Sequence, residues 1–358
     1  MSDPLIIQCA VTGSADPHPQ RRPNLPITSE QIVGEALAAW RAGATVLHLH
    51  AREEDGTPTQ DRSAFERLVE GIRASGCDAV LNLSTGTAGG RSERDDRLQP
   101  LELNPEMASF DCGTINFGER IFEGDLPFLR RMADAFQRRG VRPELECFDT
   151  GHVGLALQLQ REGLLPADPL VVQFVLGVPG TGVPATVRQV EHLRGLLPAE
   201  TRWFVAAAGA AQLPMTAYSI LAGGHVRTGL EDNLHFRRGE RATNAQLVER
   251  VIGSPPSSNV PSRTRPRHAR CSGWRRAPHD APAHADHHRQ HPRRPRRSVE
   301  RRRSRRLGCA AREPVRTAAA SRTDAGRSRT GAATQDGGLG TCAGNPERDN
   351  GRLLVQES

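Results

Sequence analysis

Ala44-Thr45-Val46-Leu47-His48-Leu49-His50 is apolar except for Thr45 and the two histidines near its end, with helix-like segments on either side at 29–42 and 61–74. Similar runs rich in Val, Ile and Leu recur near 5–11, 78–84, 107–116, 142–148, 170–176, 203–208 and 224–228. Further helix-like segments lie between most of them, at 126–139, 152–163, 184–197 and 212–222. Thr28-Ser29-Glu30 is a helix start signal, and Pro166-Ala167-Asp168-Pro169 marks a turn between helix and strand. Strands apolar along their whole length and separated by helices are parallel strands covered on both faces. Eight such units in about 250 residues predict a (β/α)8 TIM barrel, with a doubly wound open sheet as the alternative. The third connection, 86–100, is irregular and polar, which suits a loop over a site.

The pattern stops before the chain does. The eighth helix begins at Thr243-Asn244-Ala245 and meets Gly253-Ser254-Pro255-Pro256 after about ten residues. Residues 1–250 carry 25 Arg against 32 acids, whereas 251–358 carry 23 Arg against 9. The formal charge of +7 therefore averages an acidic body and a basic tail. Residues 254–358 contain eight Val, Leu, Ile or Phe and one aromatic, Trp274, too little apolar surface to offset ordering entropy. The reading is a 1–252 catalytic barrel with a truncated or replaced last helix, then a disordered, Arg-rich low-complexity tail over 253–358. The tail's Arg, Ala, Pro and Gly bias fits out-of-frame (frameshifted) translation of a GC-rich gene.

Composition narrows the chemistry. All 48 basic residues are Arg, so a Schiff-base lysine, a pyridoxal-phosphate lysine and a P-loop lysine are excluded. No run of eighteen apolar residues exists to span a membrane, and residues 1–10 lack the pattern of a secretory signal. Seven Cys with no CxxC pair argue against a disulfide framework, and the body reads as a reduced, cytoplasmic protein. Cys9, Cys77, Cys112 and Cys147, each alone in an apolar run, read as buried, inert thiols. Arg runs could bind nucleic acid through phosphate, but the tail has one aromatic for stacking and the body is acidic, so this is the lesser reading.

His48 and His50 lie two apart in a strand, so both imidazoles project to one face. At the C-terminal end of a barrel strand that face opens on the catalytic mouth. Two imidazoles there suit Zn²⁺ or another divalent transition metal, which needs a third ligand and an open position. The plain alternative is two hydrogen-bonded strand histidines. His225-Val226-Arg227-Thr228-Gly229-Leu230-Glu231-Asp232-Asn233 follows the eighth run. In a closed barrel it stands next to strand 1 and across the rim from strand 2, so Glu231 or Asp232 could complete the set; the alternative is a solvated loop with an Arg227 ion pair. Asn82-Leu83-Ser84-Thr85-Gly86 offers hydroxyls and amides for a carboxylate or thioester oxygen. Glu144-Leu145-Glu146 puts two carboxyls on one face, for acid/base work or for orienting a histidine. Ordinary strand termini share these features. Gly177-Val178-Pro179-Gly180-Thr181-Gly182 lacks the GxGxxG order of a nicotinamide site and reads as a loop admitting a long substrate, or as a plain turn.

With those residues assembled, 5–252 resembles the β-keto acid cleavage enzymes, relatives of 3-keto-5-aminohexanoate cleavage enzyme. The resemblance rests on Ala10-Val11-Thr12-Gly13, Asn24-Leu25-Pro26-Ile27-Thr28, 43–50, Ser84-Thr85-Gly86 and Pro105-Glu106-Met107-Ala108. It continues through Gly113-Thr114-Ile115-Asn116-Phe117-Gly118, 173–179 and 224–233. It implies a zinc-bound barrel, assembled as a homotetramer, that turns a β-keto acid and acetyl-CoA into acetoacetate and a new CoA thioester. By the same resemblance His48, His50 and Glu231 are the zinc ligands, and Asp232 is the base with Arg227 as its partner. Glu146 and Ser84 line the site with Gly86 beside them, and Ser109 stands where relatives carry Thr. Zinc would stabilise an enolate; Asp232 can accept a proton, whereas Arg227 can only donate hydrogen bonds. A metal-assisted hydrolase or lyase that uses no CoA is the alternative on the same barrel. Relatives acting on the amino-bearing substrate carry a Glu shortly after Thr-Gly; the aligned residue is Ala15, with Asp16 one residue on, so the expected substrate is given only as a β-keto acid.

Overall fold

Residues 4–15, 20–86, 94–166 and 169–253 are described by a computed structural model. The barrel strands are β1 (Ile7–Ala10), β2 (Val46–Leu49), β3 (Val80–Leu83), β4 (Met107–Asp111), β5 (Arg142–Cys147), β6 (Val171–Leu176), β7 (Arg202–Ala207) and β8 (His225–Thr228). Each pairs in parallel with its neighbours in sequence, and β1 pairs with both β2 and β8, so the sheet closes. The fold is a TIM barrel, and the open-sheet alternative falls with that closure. The tail reading concerns residues that, from 254 onward, lie outside the described ones.

The connecting helices are α1 (Ser29–Ala42), α2 (Arg62–Ala74), α3 (Leu126–Arg139), α4 (Thr150–Arg161), α5 (Val187–Arg194), α6 (Gln212–Leu221) and α7 (Asn244–Gly253). Local chemistry sets their starts. Thr28 and Gln31 form a reciprocal capping box on α1, and the carboxylates of Asp61, Asp125 and Asp149 accept from first-turn amides of α2, α3 and α4. The third connection carries a 3-10 helix, Arg94–Leu103, in place of an α-helix; Pro100 inside it has no amide hydrogen to give a longer helix. The apolar run near 107–116 is not one strand. β4 stops at Asp111, and after Cys112-Gly113 the chain forms a hairpin of Ile115–Phe117 with Arg120–Phe122.

The period of two stacks the barrel interior in layers. Ile6, Val46, Val80, Met107, Val171 and Phe204 form an apolar plug at the N-terminal end. Two residues along the same strands come Gln8, His48, Asn82, Ser109, Gln173 and Ala206, joined from β5 by Glu144; all are buried. A further two residues reach His50, Ser84, Asp111, Glu146 and Val175 at the mouth. Buried His225 packs on Phe204 of this plug, with ring centroids 5.0 Å apart, whereas the imidazole pair and the carboxyls stand above it, which gathers the candidate chemistry at one end.

Candidate active site

β2 delivers its two imidazoles to one side, as expected. Their Nε2 atoms are 3.3 Å apart. Glu231, on the loop after β8, brings Oε1 within 3.4 Å of His50 Nε2 and Oε2 within 3.7 Å of His48 Nε2. Among the described residues this is the one group of three His, Cys, Asp or Glu side chains placed to share a metal ion. Ligands bound tetrahedrally at about 2.0–2.1 Å would stand roughly 3.3–3.4 Å from one another, so the spacing fits zinc. Nδ1 of both histidines and Oε2 of Glu231 are buried with no hydrogen-bond partner, a costly arrangement unless something else engages these side chains.

The charges agree with that spacing. Burial pushes the Glu231 carboxyl up, but Arg227, His50 and His48 together outweigh it and hold the group well below the usual carboxylate range. Burial, and secondarily Arg227, hold His48 well below its ordinary value against the pull of Glu231. A neutral imidazole beside an ionised carboxylate is the protonation state that a divalent cation takes up.

Arg227 is the hub of the mouth. Its Nη1 donates to Glu146 Oε1 at 3.1 Å and its Nη2 to Glu231 Oε1 at 2.5 Å. Nε and Nη2 also grip the two oxygens of Asp232 at 2.9 and 3.0 Å. The solvated ion pair considered from sequence is thus a buried, three-carboxylate junction. Burial raises Asp232 above an ordinary aspartate even though Arg227 pulls it down. Arg227 loses charge stability to burial, but Asp232, Glu231 and Glu146 more than restore it, so it stays a cation.

Glu144 and Glu146 share a face but not a setting. Glu146 stands at the mouth, held by Arg227 and by Gln173 Nε2 at 3.0 Å. Burial and then Asp111 raise it well above an ordinary glutamate. Glu144 lies one layer deeper, where its Oε2 accepts from Asn82 Nδ2 at 2.5 Å and Gln8 Nε2 at 3.3 Å. The same oxygen is 3.9 Å from His48 Nδ1. Burial pushes Glu144 up to about 7, against the opposing pull of Arg227. Asp111 thus pairs with the guanidinium of Arg97, while Glu146, Glu231 and Asp232 share that of Arg227, and Glu144 is held by neutral amides.

At the ends of β3 and β4 the Ser84 hydroxyl accepts from Gly86 N at 3.1 Å. Ser109 points into the same region, but its hydroxyl accepts from Thr85 N at 3.0 Å, so it holds the turn that carries Ser84 and Gly86. Sequence reasoning missed Asp111 and Arg97. Asp111 ends β4 on the inward face and pairs with buried Arg97 at 3.4 Å. Arg97 also donates to the carbonyls of Thr85 and Glu123, both at 2.8 Å, and lies over the Phe122 ring at 4.1 Å. The missed Gln8, Asn82 and Gln173 did carry a signal, a lone polar residue in an apolar strand at the inward register. The 177–182 loop is a turn: Thr181 N bonds Val178 O at 3.2 Å and Gly177 N bonds Val183 O at 3.0 Å. The four Cys named from sequence are buried, and burial raises the thiols of Cys9, Cys77 and Cys112.

A parallel barrel with a His-His-Glu cluster and an acid-ringed arginine at its C-terminal mouth defines a restricted class. The chain belongs to the β-keto acid cleavage enzyme family, which it matches over residues 4–255. It is 43% identical over 250 residues to the 3-keto-5-aminohexanoate cleavage enzyme of Acetoanaerobium sticklandii, covering 69% of this chain and 90% of that protein. It is 36% identical over 276 residues to the 3-dehydrocarnitine:acetyl-CoA trimethylamine transferase of Rhizobium meliloti, covering 70% and 90%. The solved structure of ObcA with a C4-CoA adduct and oxalate shares the fold, with a TM-score of 0.55 at 24% identity. That likeness covers 63% of this chain and 62% of ObcA, less than two thirds of its length. No helix among the described residues is long and apolar enough to cross a membrane.

Proposed function

We propose that this protein condenses a β-keto acid with acetyl-CoA, releasing acetoacetate and a new acyl-CoA, and that it does so with zinc held by His48, His50 and Glu231. The convergence of those three side chains within reach of one ion carries the reading. Family membership and two relatives named as acetyl-CoA transferases support the co-substrate. Bound zinc would supply Lewis acidity at the keto oxygen.

The chain's own groups account for the rest. Asp232 accepts the C2 proton at its carboxylate, and Arg227 orients it through two hydrogen bonds while remaining charged. Ser84 and Gly86 present polar groups to the substrate, on the turn that Ser109 fastens. Glu146, raised by burial, is suited to hold a proton near the mouth. The C2 carbanion attacks the thioester carbonyl, forming a carbon–carbon bond as the CoA thiolate leaves. After the thiolate is transferred to the original keto carbon, retro-Claisen cleavage breaks the C2–C3 bond and the proton returns to C2. The substrate class is a β-keto acid, and Ala15 supplies no carboxylate where amino-substrate relatives carry Glu. Family resemblance supports a homotetramer, and composition supports a cytoplasmic setting and a catalytic unit of residues 1–252. A panel of β-keto acids with zinc-loaded protein, with and without acetyl-CoA, tests the reading. Acetoacetate is expected only when both are present; turnover without acetyl-CoA would replace it with a metal-assisted hydrolase or lyase.

A further inference from the structure

We infer that Asn244, the first residue of α7, is a positioning residue that holds Glu231 at the metal-binding spacing; the inference rests on the metal-site reading above. Asn244 is wholly buried and touches no group assigned to the chemistry. Its Oδ1 accepts from Leu230 N, the amide next to Glu231, at 2.9 Å. Its Nδ2 donates to Val11 O, just beyond β1, at 3.1 Å and to Glu35 Oε2 on α1 at 3.0 Å. Glu35 Oε2 also accepts from the Asn244 amide at 3.1 Å. The Cys9 thiol also donates to Oδ1 at 3.4 Å, so the amide orientation is set: the flipped form would face these two donors with its NH2 and two acceptors with its oxygen.

Around Glu231 the loop is also held at Asp232, whose carbonyl accepts from Gly209 N at 2.8 Å, and at Asn233, whose Nδ2 donates to His235 O at 2.8 Å. Arg227 holds it too, through the Glu231 and Asp232 carboxylates, but Asn244 is the residue of α7 that holds Leu230 N. Glu231 N bonds Ala10 O at 3.2 Å, and Gln212 Nε2 bonds Gly229 O at 3.2 Å. Gly229 sits at φ +137, and a Cβ there would lie 2.1 Å from Ala10 O, so the backbone passes β1 as closely as it can. Asn244 fastens the other side of that passage to the exit of β1 and to α1. A carboxylate that must meet two imidazoles within a few tenths of an ångström depends on that fastening, as metal ligands depend on the groups that orient them.

The test is zinc affinity by chelator competition, with amide hydrogen exchange read on the metal-free protein. Asn244→Ala is expected to bind zinc roughly 10–100-fold more weakly, with faster exchange confined to the Leu230 region. Glu35→Gln retains an acceptor for Asn244 and is expected to match the parent. Asn244→Asp combined with Glu35→Gln keeps an acceptor for Leu230 N without opposing two carboxylates, gives up the bond to Val11 O, and is expected to recover part of the affinity. That rescue separates positioning from a general loss of fold and serves if the alanine variant does not fold. Parental zinc affinity in Asn244→Ala, or no recovery in the double variant, overturns the inference. Should the parent protein hold no zinc, the metal-site reading fails by itself, and Leu230 exchange in the same variants still decides the role of Asn244.

Discussion

Glu231 fills the space that any side chain on Gly13 would need. A Cβ on Gly13 would lie 2.5 Å from Glu231 Cγ, and Gly13 has φ +69. The Thr12-Gly13 pair is therefore part of the site without touching the chemistry. Gly13→Ala is expected to displace the Glu231 carboxylate and add about 1–2 kcal/mol of backbone strain. Chelator competition should show weakened zinc binding; unchanged affinity would mean that the Glu231 position does not depend on this gap.

His48→Ala removes one of three candidate ligands and should abolish both zinc retention and acyl transfer. The loss should exceed the roughly 10–100-fold typical of an orienting group. Metal content after dialysis is the measurement, and a variant that keeps a full zinc equivalent refutes the ligand assignment.

Arg227→Leu leaves Glu146, Glu231 and Asp232 enclosed without their shared cation, at a cost of about 3–5 kcal/mol. In the parent the lowered Glu231 carboxyl contributes stability above its ordinary value of 4.5, and that contribution is lost as pH falls through the lower folded value. The stability difference between variant and parent should be large near neutrality and shrink on acidification. Thermal melts of the metal-free proteins across pH would show it; a gap that is constant with pH would contradict the charge account.

Glu144 behaves in the opposite sense. Its folded value is raised from 4.5 to about 7, so the stability it contributes is complete below 4.5 and is lost as pH rises through about 7. Glu144→Gln should flatten this part of the pH profile in metal-free protein, removing a variation on the order of 3 kcal/mol. A profile of the same slope in the variant would place the titration elsewhere.

The barrel was legible because both of its periods are written plainly. α1 and α3 occupy the segments expected from apolar spacing, and the eight apolar runs each hold a strand. Strand alternation plus closure of β8 on β1 brought Glu231 or Asp232 toward the His48 and His50 pair, and the family resemblance singled out Glu231. What was hidden depends on distance in space rather than spacing in sequence. Arg97 is one Arg in a polar connection, and only the placement of Asp111, Thr85 O and Phe122 makes it part of the mouth. Asn244 looks like an ordinary helix start until Leu230 and Val11 are seen against it. Ser109, expected in the site, also accepts from Thr85 N through its hydroxyl, a bond no linear pattern announces.

The seam between β1 and β8 joins the first and last strands, with Gln8 beside Arg227. A nascent chain that has passed the ribosome only as far as β7 owns the imidazole pair but neither Arg227 nor Glu231. If these three side chains hold a metal, its tight capture waits for the final strand to dock, and metal uptake then time-stamps the moment the ring shuts. A stalled or misassembled chain would be distinguishable from a finished one by the cation alone.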